Sequence, residues 1–127
     1  MQSRLTWIAA VVGALGIALG AFGAHALEPQ LRELQRLDTW HTATQYHLIH
    51  AVALLALAVA DGLRPSSRLR VVGYIFTLGV IVFSGSLYLL GFGAPGWFGA
   101  ITPIGGLAFI AGWALLPWAF KAAPAAS

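Results

Sequence analysis

The sequence predicts an all-α integral membrane protein, a four-helix bundle with little polypeptide outside the bilayer. Of its 127 residues, 59% are hydrophobic and only 9% are charged, which leaves too little polar surface to cover a soluble domain. The apolar residues also fall into four runs, each close to the roughly 20 residues with which a helix crosses a bilayer. We therefore expect a single transmembrane domain over residues 1–127.

The first predicted span covers residues 5–24. At about 1.5 Å per helical residue it reaches about 30 Å, the thickness of the hydrocarbon core. A cleaved signal peptide is the alternative, with Arg4 as its basic region and Ala24-His25-Ala26 as its cleavage site. Because the apolar run is longer than the 7–15 residues usual in a signal peptide, we interpret it as a span.

A charged segment over residues 28–39 separates the first span from the second and holds five of the eleven charged residues. Leu31, Leu34 and Leu37 recur in it at a spacing of three, and Pro29 suits the first turn of a helix. The pattern predicts a short amphipathic helix that lies at the membrane interface.

The other three spans are predicted at residues 40–60, 71–91 and 100–120. An arginine-rich loop over residues 61–70 joins the second span to the third, and a turn rich in glycine and aromatic residues joins the third to the fourth. The first half of the second span is polar. Because polar groups are costly against lipid, we expect that half to face the interior of the bundle, water or a bound group.

The basic residues predict the orientation in the membrane, because cytoplasmic segments carry an excess of lysine and arginine. Five lie on one predicted side, against Arg32 and Arg36 on the other. The five are Arg4, Arg64, Arg68, Arg70 and Lys121. We therefore expect a multi-pass protein of the plasma (inner) membrane with both termini cytoplasmic.

The remaining surface signals fit the lipid bilayer as the main partner. Trp7, Trp40, Trp97 and Trp118 fall near the predicted interfaces, as in the aromatic belts of membrane proteins, whereas Trp113 does not. Although the pI is about 10.0, the basic residues are scattered among apolar runs. No patch typical of nucleic-acid binding is formed, so we expect no nucleic-acid partner.

Small residues predict where the helices pack. Glycine recurs at spacings of three and four in the first span, and the small residues Gly105, Ala108 and Gly112 repeat these spacings in the fourth. The stripe in the first span consists of Gly13, Gly16, Gly20 and Gly23. Such stripes let two helices approach closely in a membrane. A homo-oligomer or a membrane-protein partner would use the same stripe, so the sequence leaves both uses open.

A set of polar side chains is predicted in the outer half of the bundle. His47 and His50 are three residues apart on one helix face, and His25 closes the first span at the same side. The candidate ligand-binding residues are His25, Tyr46, His47, His50, Ser84, Ser86, Tyr88 and Thr102. Thr102 also suits the N-cap of the fourth span.

Two interpretations of this set are open. Interhelical hydrogen bonding is the simpler one, because such contacts are ordinary in membrane bundles. A ligand site is the other: neutral imidazoles bind haem iron or other metals, or hydrogen-bond a quinone or lipid. For a metal, His25, His47 and His50 would be the ligands, with His25 facing one of the other two in a bis-histidine haem site. No cofactor is assured by this pattern.

Other activities have less support in the sequence. The chain has no cysteine and no nucleophile elbow, zinc-protease motif or phosphate-binding loop. A small transporter would be expected to place a carboxylate within the membrane, but all four acidic residues fall outside or at the ends of the predicted spans. We therefore predict a non-enzymatic accessory or structural membrane component, with a ligand binder and a transporter as alternatives.

Four stretches of the sequence resemble one protein family in order along the chain. They are GAFGAHAL (20–27), TATQYHLIHAVALL (42–55), FSGSLYLL (83–90) and GAITPIGGLAFIAGW (99–113). The chain is similar here to the small YgdD/YwdK-like inner-membrane proteins of bacteria, a family of unknown function. The resemblance implies a four-helix plasma-membrane protein and motif positions that include the histidines above. It implies no activity, cofactor or partner.

Overall fold

The computed structural model describes residues 3–122 of the chain. It is 84% helical, and no strand occurs among the described residues. Within this described part, four helical segments are long and apolar enough to cross a membrane, namely Arg4–Ala24, Leu37–Leu63, Ser67–Gly91 and Gly96–Ala114. The predicted fold class is therefore confirmed. The assignment of residues 1–127 to one domain includes terminal residues outside the described part and stays a prediction.

The first helix, α1, runs Arg4–Ala24. Ser3 caps its start, because the Ser3 hydroxyl accepts a hydrogen bond from the backbone N–H of Leu5. The helix ends at His25, whose N–H still bonds to the carbonyl of Ala21. Beyond that residue the chain turns toward the amphipathic segment.

The amphipathic segment is shorter than the sequence predicted. Its helix, α2, covers only Glu28–Glu33, and the next helix already begins at Leu37. Gln35 has a positive φ of 55°, and the N–H groups of Gln35 and Arg36 bond to carbonyls three and five residues back. This is the Schellman arrangement that ends helices. Consequently Leu31 is buried, while Leu34 is exposed instead of continuing an apolar face.

Two long helices form the centre of the bundle. Helix α3 runs Leu37–Leu63, and helix α4 runs Ser67–Gly91. Residues Val80–Ser84 of α4 are π-helical, so this turn holds one residue more than an α-helical turn. Helix α3 packs against both α1 and α4, and α4 packs against both α3 and the next helix.

The last apolar segment is composed of three pieces. A 3-10 turn covers Gly96–Ala100, helix α5 covers Thr102–Ala114, and a short helix, α6, covers Leu116–Ala119. The sequence predicted one continuous span from residue 100 to residue 120. The break before α6 has a local cause, because Pro117 lacks the N–H that would bond to the carbonyl of Trp113 in a continuous helix.

The glycine stripe of α1 packs inside the chain, against α3. A methyl group added at Gly16 would lie 2.7 Å from Leu48, and one added at Gly23 would overlap the indole of Trp40. In α5, a methyl group at Gly105 would overlap the backbone of Phe83. These glycines therefore permit close approach between helices of one chain, which is one of the two uses that the sequence left open.

Apolar side chains form two clusters along the bundle. The larger is centred on Leu54, Val72 and Phe76, and the smaller surrounds Trp40 near the α1–α2 turn. Trp40 was expected in an aromatic belt, but it is fully buried, and its Nε1–H donates to the carbonyl of Leu19 at 2.9 Å. The lack of a side chain at Gly23 provides the space for its indole ring.

Candidate functional site

The predicted polar side chains converge where α3 passes between α1, α4 and α5. His47 and His50 are 4% and 3% exposed, and both lie on the inner face of α3. We define the polar cluster as these two histidines, the residues of α3, α4 and α5 that hydrogen-bond to them, and the hydroxyl side chains that join α4 to α3 and α5. Its members are Tyr46, His47, His50, Ser84, Ser86, Tyr88, Thr102 and Trp113.

His47 links three helices through its two ring nitrogens. Nε2 lies 2.7 Å from the carbonyl oxygen of Val12 in α1, and Nδ1 lies 2.8 Å from the Tyr88 hydroxyl in α4. A carbonyl only accepts, so Nε2 carries the proton; in the neutral ring Nδ1 then accepts from Tyr88. Gly16, one turn after Val12, lets the ring reach this carbonyl, because a methyl group there would lie 3.1 Å from the imidazole.

His50 is held in the opposite tautomer. Its Nδ1 donates to the carbonyl of Tyr46 at 2.6 Å, and its Nε2 lies 3.0 Å from the Trp113 indole nitrogen in α5. An indole N–H is only a donor, so Nε2 of His50 is an unprotonated acceptor and the ring is neutral. Phe109 stacks on the imidazole with ring centroids 3.7 Å apart. Both nitrogens and one face of His50 are thus in contact with the protein.

The serine and threonine hydroxyls connect α4 to its neighbours. Ser84, fully buried in the π-helical turn, donates to the carbonyl of Ala43 in α3 at 2.8 Å. Ser86 donates to the carbonyl of Phe83 at 2.9 Å and therefore accepts from Thr102 of α5 at 2.6 Å. Thr102 is the first residue of α5 and not its N-cap, a position that Ile101 holds, so its hydroxyl joins helices instead of capping one.

Tyr46 contributes to the cluster mainly through its backbone. Its carbonyl accepts the proton of His50, while its ring is partly exposed and packs on Phe83 with centroids 4.7 Å apart. The side chain therefore belongs to the rim of the cluster.

His25 does not join the other two histidines. It is exposed at the end of α1, nine residues beyond Gly16, which lies beside His47; this is about 14 Å along the helix. Among the described residues, no group of three or more His, Asp or Glu side chains is arranged to hold a metal ion. The three-histidine metal site and the His25 haem pairing considered from the sequence are therefore not formed.

Two aromatic residues that contact His50 were not predicted from the sequence. Trp113 supplies the donor to His50, and Phe109 stacks on it. Both lie on one face of α5, because they are four residues apart. The position of Trp113 away from the predicted interfaces was the one signal of a role other than an interfacial anchor.

Asp61 is a second buried polar site that the sequence analysis missed. It is 4% exposed at the end of α3 and forms an ion pair with Arg70 of α4 at 2.8 Å. It also accepts hydrogen bonds from the backbone N–H of Ser66 and from the hydroxyl of Ser3. One carboxylate thus ties together the start of α1, the end of α3 and the start of α4.

The hydrogen bonding of the polar cluster is complete. Among the described residues, no buried side-chain nitrogen or oxygen lacks a hydrogen-bond partner. Each ring nitrogen of His47 and His50 already has one. A metal or a quinone could bind either histidine only after displacing a partner from another helix or from the preceding turn.

Comparison of the chain with known proteins identifies its family. Residues 19–106 match the family model described as protein of unknown function (DUF423). That match covers more than half of the chain. The chain belongs to this family.

Its curated relatives are bacterial membrane proteins. The UPF0382 membrane protein YwdK of Bacillus subtilis is 41% identical over 110 residues, which cover 86% of this chain and 89% of the relative. The UPF0382 inner membrane protein YgdD of Escherichia coli is 39% identical over 117 residues, which cover 91% of this chain and 88% of the relative. No solved structure matches. The resemblance inferred from four motifs is confirmed, and the chain is an integral membrane protein of a family of unknown function.

Proposed function

We propose that the protein is a non-enzymatic structural or accessory component of the bacterial inner membrane, and that its polar cluster fixes the packing of the four spans. The observation that carries this proposal is the complete hydrogen bonding of the buried side-chain nitrogen and oxygen atoms within residues 3–122. Each histidine contacts another helix through a side chain or a carbonyl. Such contacts specify which faces of the helices meet, at about 0.6 kcal/mol each in a membrane.

The geometry of the serines supports a non-enzymatic role. A nucleophilic serine needs a neighbouring base that removes its proton. Here the proton of Ser84 is bonded to the Ala43 carbonyl, and that of Ser86 is bonded to the Phe83 carbonyl. A carbonyl oxygen is not a base of that kind, so these hydroxyls form hydrogen bonds within the bundle and are not activated as nucleophiles.

The proposal includes an orientation with both termini in the cytoplasm. Arg64, Arg68 and Lys121 border one cleft, and Arg4 and Arg70 border another at the same end of the bundle. An excess of basic residues favours the cytoplasmic side. The Escherichia coli relative is named an inner membrane protein, which supports the same membrane for this chain.

Cofactor analysis of the purified protein tests the assignment of the polar cluster. The wild type in detergent would be compared with His25→Ala and with His47→Ala/His50→Ala by absorption spectroscopy, elemental analysis and mass spectrometry of extracted quinones. We expect no haem, metal or quinone at a stoichiometric level in any sample. His25→Ala serves as a control because His25 is exposed and outside the cluster.

A different result would identify a ligand site instead. A Soret band, a metal or a quinone present at about one equivalent in the wild type and absent from His47→Ala/His50→Ala would overturn the structural role. Phospholipid in the same extract does not decide this test, because lipid contacts the whole apolar surface of a membrane protein and not only the two histidines.

A further inference from the structure

A basic cleft opens at the end of the bundle remote from the polar cluster. It has a volume of about 460 Å³ and lies between the end of α3, the loop that follows, and the residues after α6. Arg64, Arg68 and Lys121 contribute three cationic side chains to its lining. Its nearest α3 residue, Ala60, is ten residues from His50, about 15 Å along the helix, so the cleft is independent of the histidines.

The three positive charges of the cleft are not balanced locally. None of the described residues that line it is acidic. Within residues 3–122, acidic side chains pair with Arg32 and Arg70 and with none of the three cleft residues. The cleft also borders the first turn of α4, whose partial positive charge has the same sign. An anion bound here would relieve repulsion between like charges.

The position of the cleft along the bundle indicates which kind of anion it would bind. Helix α3 has 27 residues, about 40 Å, which exceeds the hydrocarbon thickness of about 30 Å. The end of α3 therefore reaches the headgroup level. Leu63 and Phe120, both largely exposed, border the cleft, and the guanidinium of Arg68 lies 5.5 Å from the centre of the Trp118 ring. Cationic side chains suit a phosphate group, and the apolar side chains beside them suit the acyl chains to which a lipid phosphate is joined.

We propose that this cleft binds the phosphate of an anionic phospholipid, with Arg64, Arg68 and Lys121 contacting the headgroup and with Leu63 and Phe120 contacting the upper acyl chains. Basic pockets at membrane surfaces recognise headgroups in this way. A free phosphate would use the same cations but would gain nothing from the apolar rim. The bound lipid would join α3, α4 and the chain after α6 at one end of the bundle.

Native mass spectrometry of the full chain in detergent, with equimolar phosphatidylglycerol and phosphatidylcholine of identical acyl chains, tests this proposal. We expect the wild type to retain phosphatidylglycerol with at least about a tenfold preference, since each basic residue at an anionic surface contributes about a fivefold factor. Arg64→Gln/Lys121→Gln should lose most of that preference. Both residues are exposed, and the contact of Arg68 with Trp118 is left in place.

The matched control is Arg32→Gln/Arg36→Gln, which removes two charges from the other end of the bundle and should keep the wild-type preference. Raising the salt concentration should lower the preference of the wild type, because screening weakens headgroup pairing; this measurement does not depend on the folding of a variant. Equal retention of the two lipids, no response to salt, or full preference in Arg64→Gln/Lys121→Gln would overturn the proposal. Inorganic phosphate that displaces the lipid and stabilises the wild type equally would show a site for free anions.

Discussion

The hydrogen bond between His47 and Tyr88 is the central contact of the polar cluster at the scale of single residues. It joins α3 to α4 at 2.8 Å between buried atoms, while the other nitrogen of His47 reaches α1. Loss of either partner leaves a buried polar atom unpaired, and its desolvation is then uncompensated. The two residues should therefore be energetically coupled.

A double-mutant cycle measures this coupling. We expect His47→Phe and Tyr88→Phe each to lower the free energy of unfolding in bicelles by about 1–2 kcal/mol, within the range known for interhelical hydrogen bonds. The double variant should lose less than the sum, with a coupling of about 0.5–1.5 kcal/mol. Steric-trapping or detergent titration gives these values. His25→Ala is the control and should change stability little; additive losses would argue against the bond.

Residue type and helical spacing were enough to predict most members of the cluster. His47, His50, Ser84, Ser86, Tyr88 and Thr102 were identified, because polar groups within apolar spans must face the protein interior. Their partners were not predictable in the same way. The carbonyls of Val12 and Ala43 carry no side-chain signal, and the exposure of His25 depends on where α1 ends.

At the scale of elements, the π-helical turn of α4 packs directly against Gly105 of α5. Val80–Ser84 holds an extra residue, and Gly105 contacts the backbone of Phe83 within that turn. A backbone cannot rotate away as a side chain does, so there is no room for a methyl group at Gly105. Its neighbour Gly106 has ordinary clearance, with the Phe83 ring 3.7 Å from an added methyl group.

Alanine at these two adjacent positions should therefore have different effects. Gly105→Ala is expected to destabilise the bundle by about 1–3 kcal/mol, because α5 must move away from α4. Gly106→Ala should be neutral or slightly stabilising, since alanine favours helix over glycine. Unfolding measured in the same bicelles compares the two. If both variants had the same stability, the close approach of α5 to α4 at Phe83 would be wrong.

The four spans were predictable as elements, but the points at which their helices are interrupted were not. A span follows from the length of an apolar run. The end of α2 depends instead on a left-handed conformation at Gln35, for which glutamine gives no signal. Pro117 is a sequence signal for the break before α6, although one continuous span was predicted there. The π-helical turn at Val80–Ser84 has no counterpart in the residue types of that segment, which are those of an ordinary apolar span.

At the scale of the whole molecule, the two ends of the bundle have different chemistry. One half holds the neutral polar cluster, and the opposite end holds the basic cleft and the ion pair of Asp61 with Arg70. Asp61 offsets only the charge of Arg70, so that end of the bundle keeps an excess of positive charge. This asymmetry gives a physical basis for a single orientation, since basic residues near span ends resist transfer across the membrane.

Reporter fusions test the orientation of the whole chain. We expect a fluorescent protein fused after Ser127 to fluoresce and alkaline phosphatase fused there to be inactive, because phosphatase folds only outside the cytoplasm. Phosphatase fused after Ala94, beyond the third span, should be active, because residues 92–95 connect α4 to the last span at the other end. The Ala94 fusion also controls for expression. Active phosphatase at Ser127 together with inactive phosphatase at Ala94 would show that the bundle has the opposite orientation. The basic cleft would then face outward, and the charge bias of the arginines would not determine the orientation.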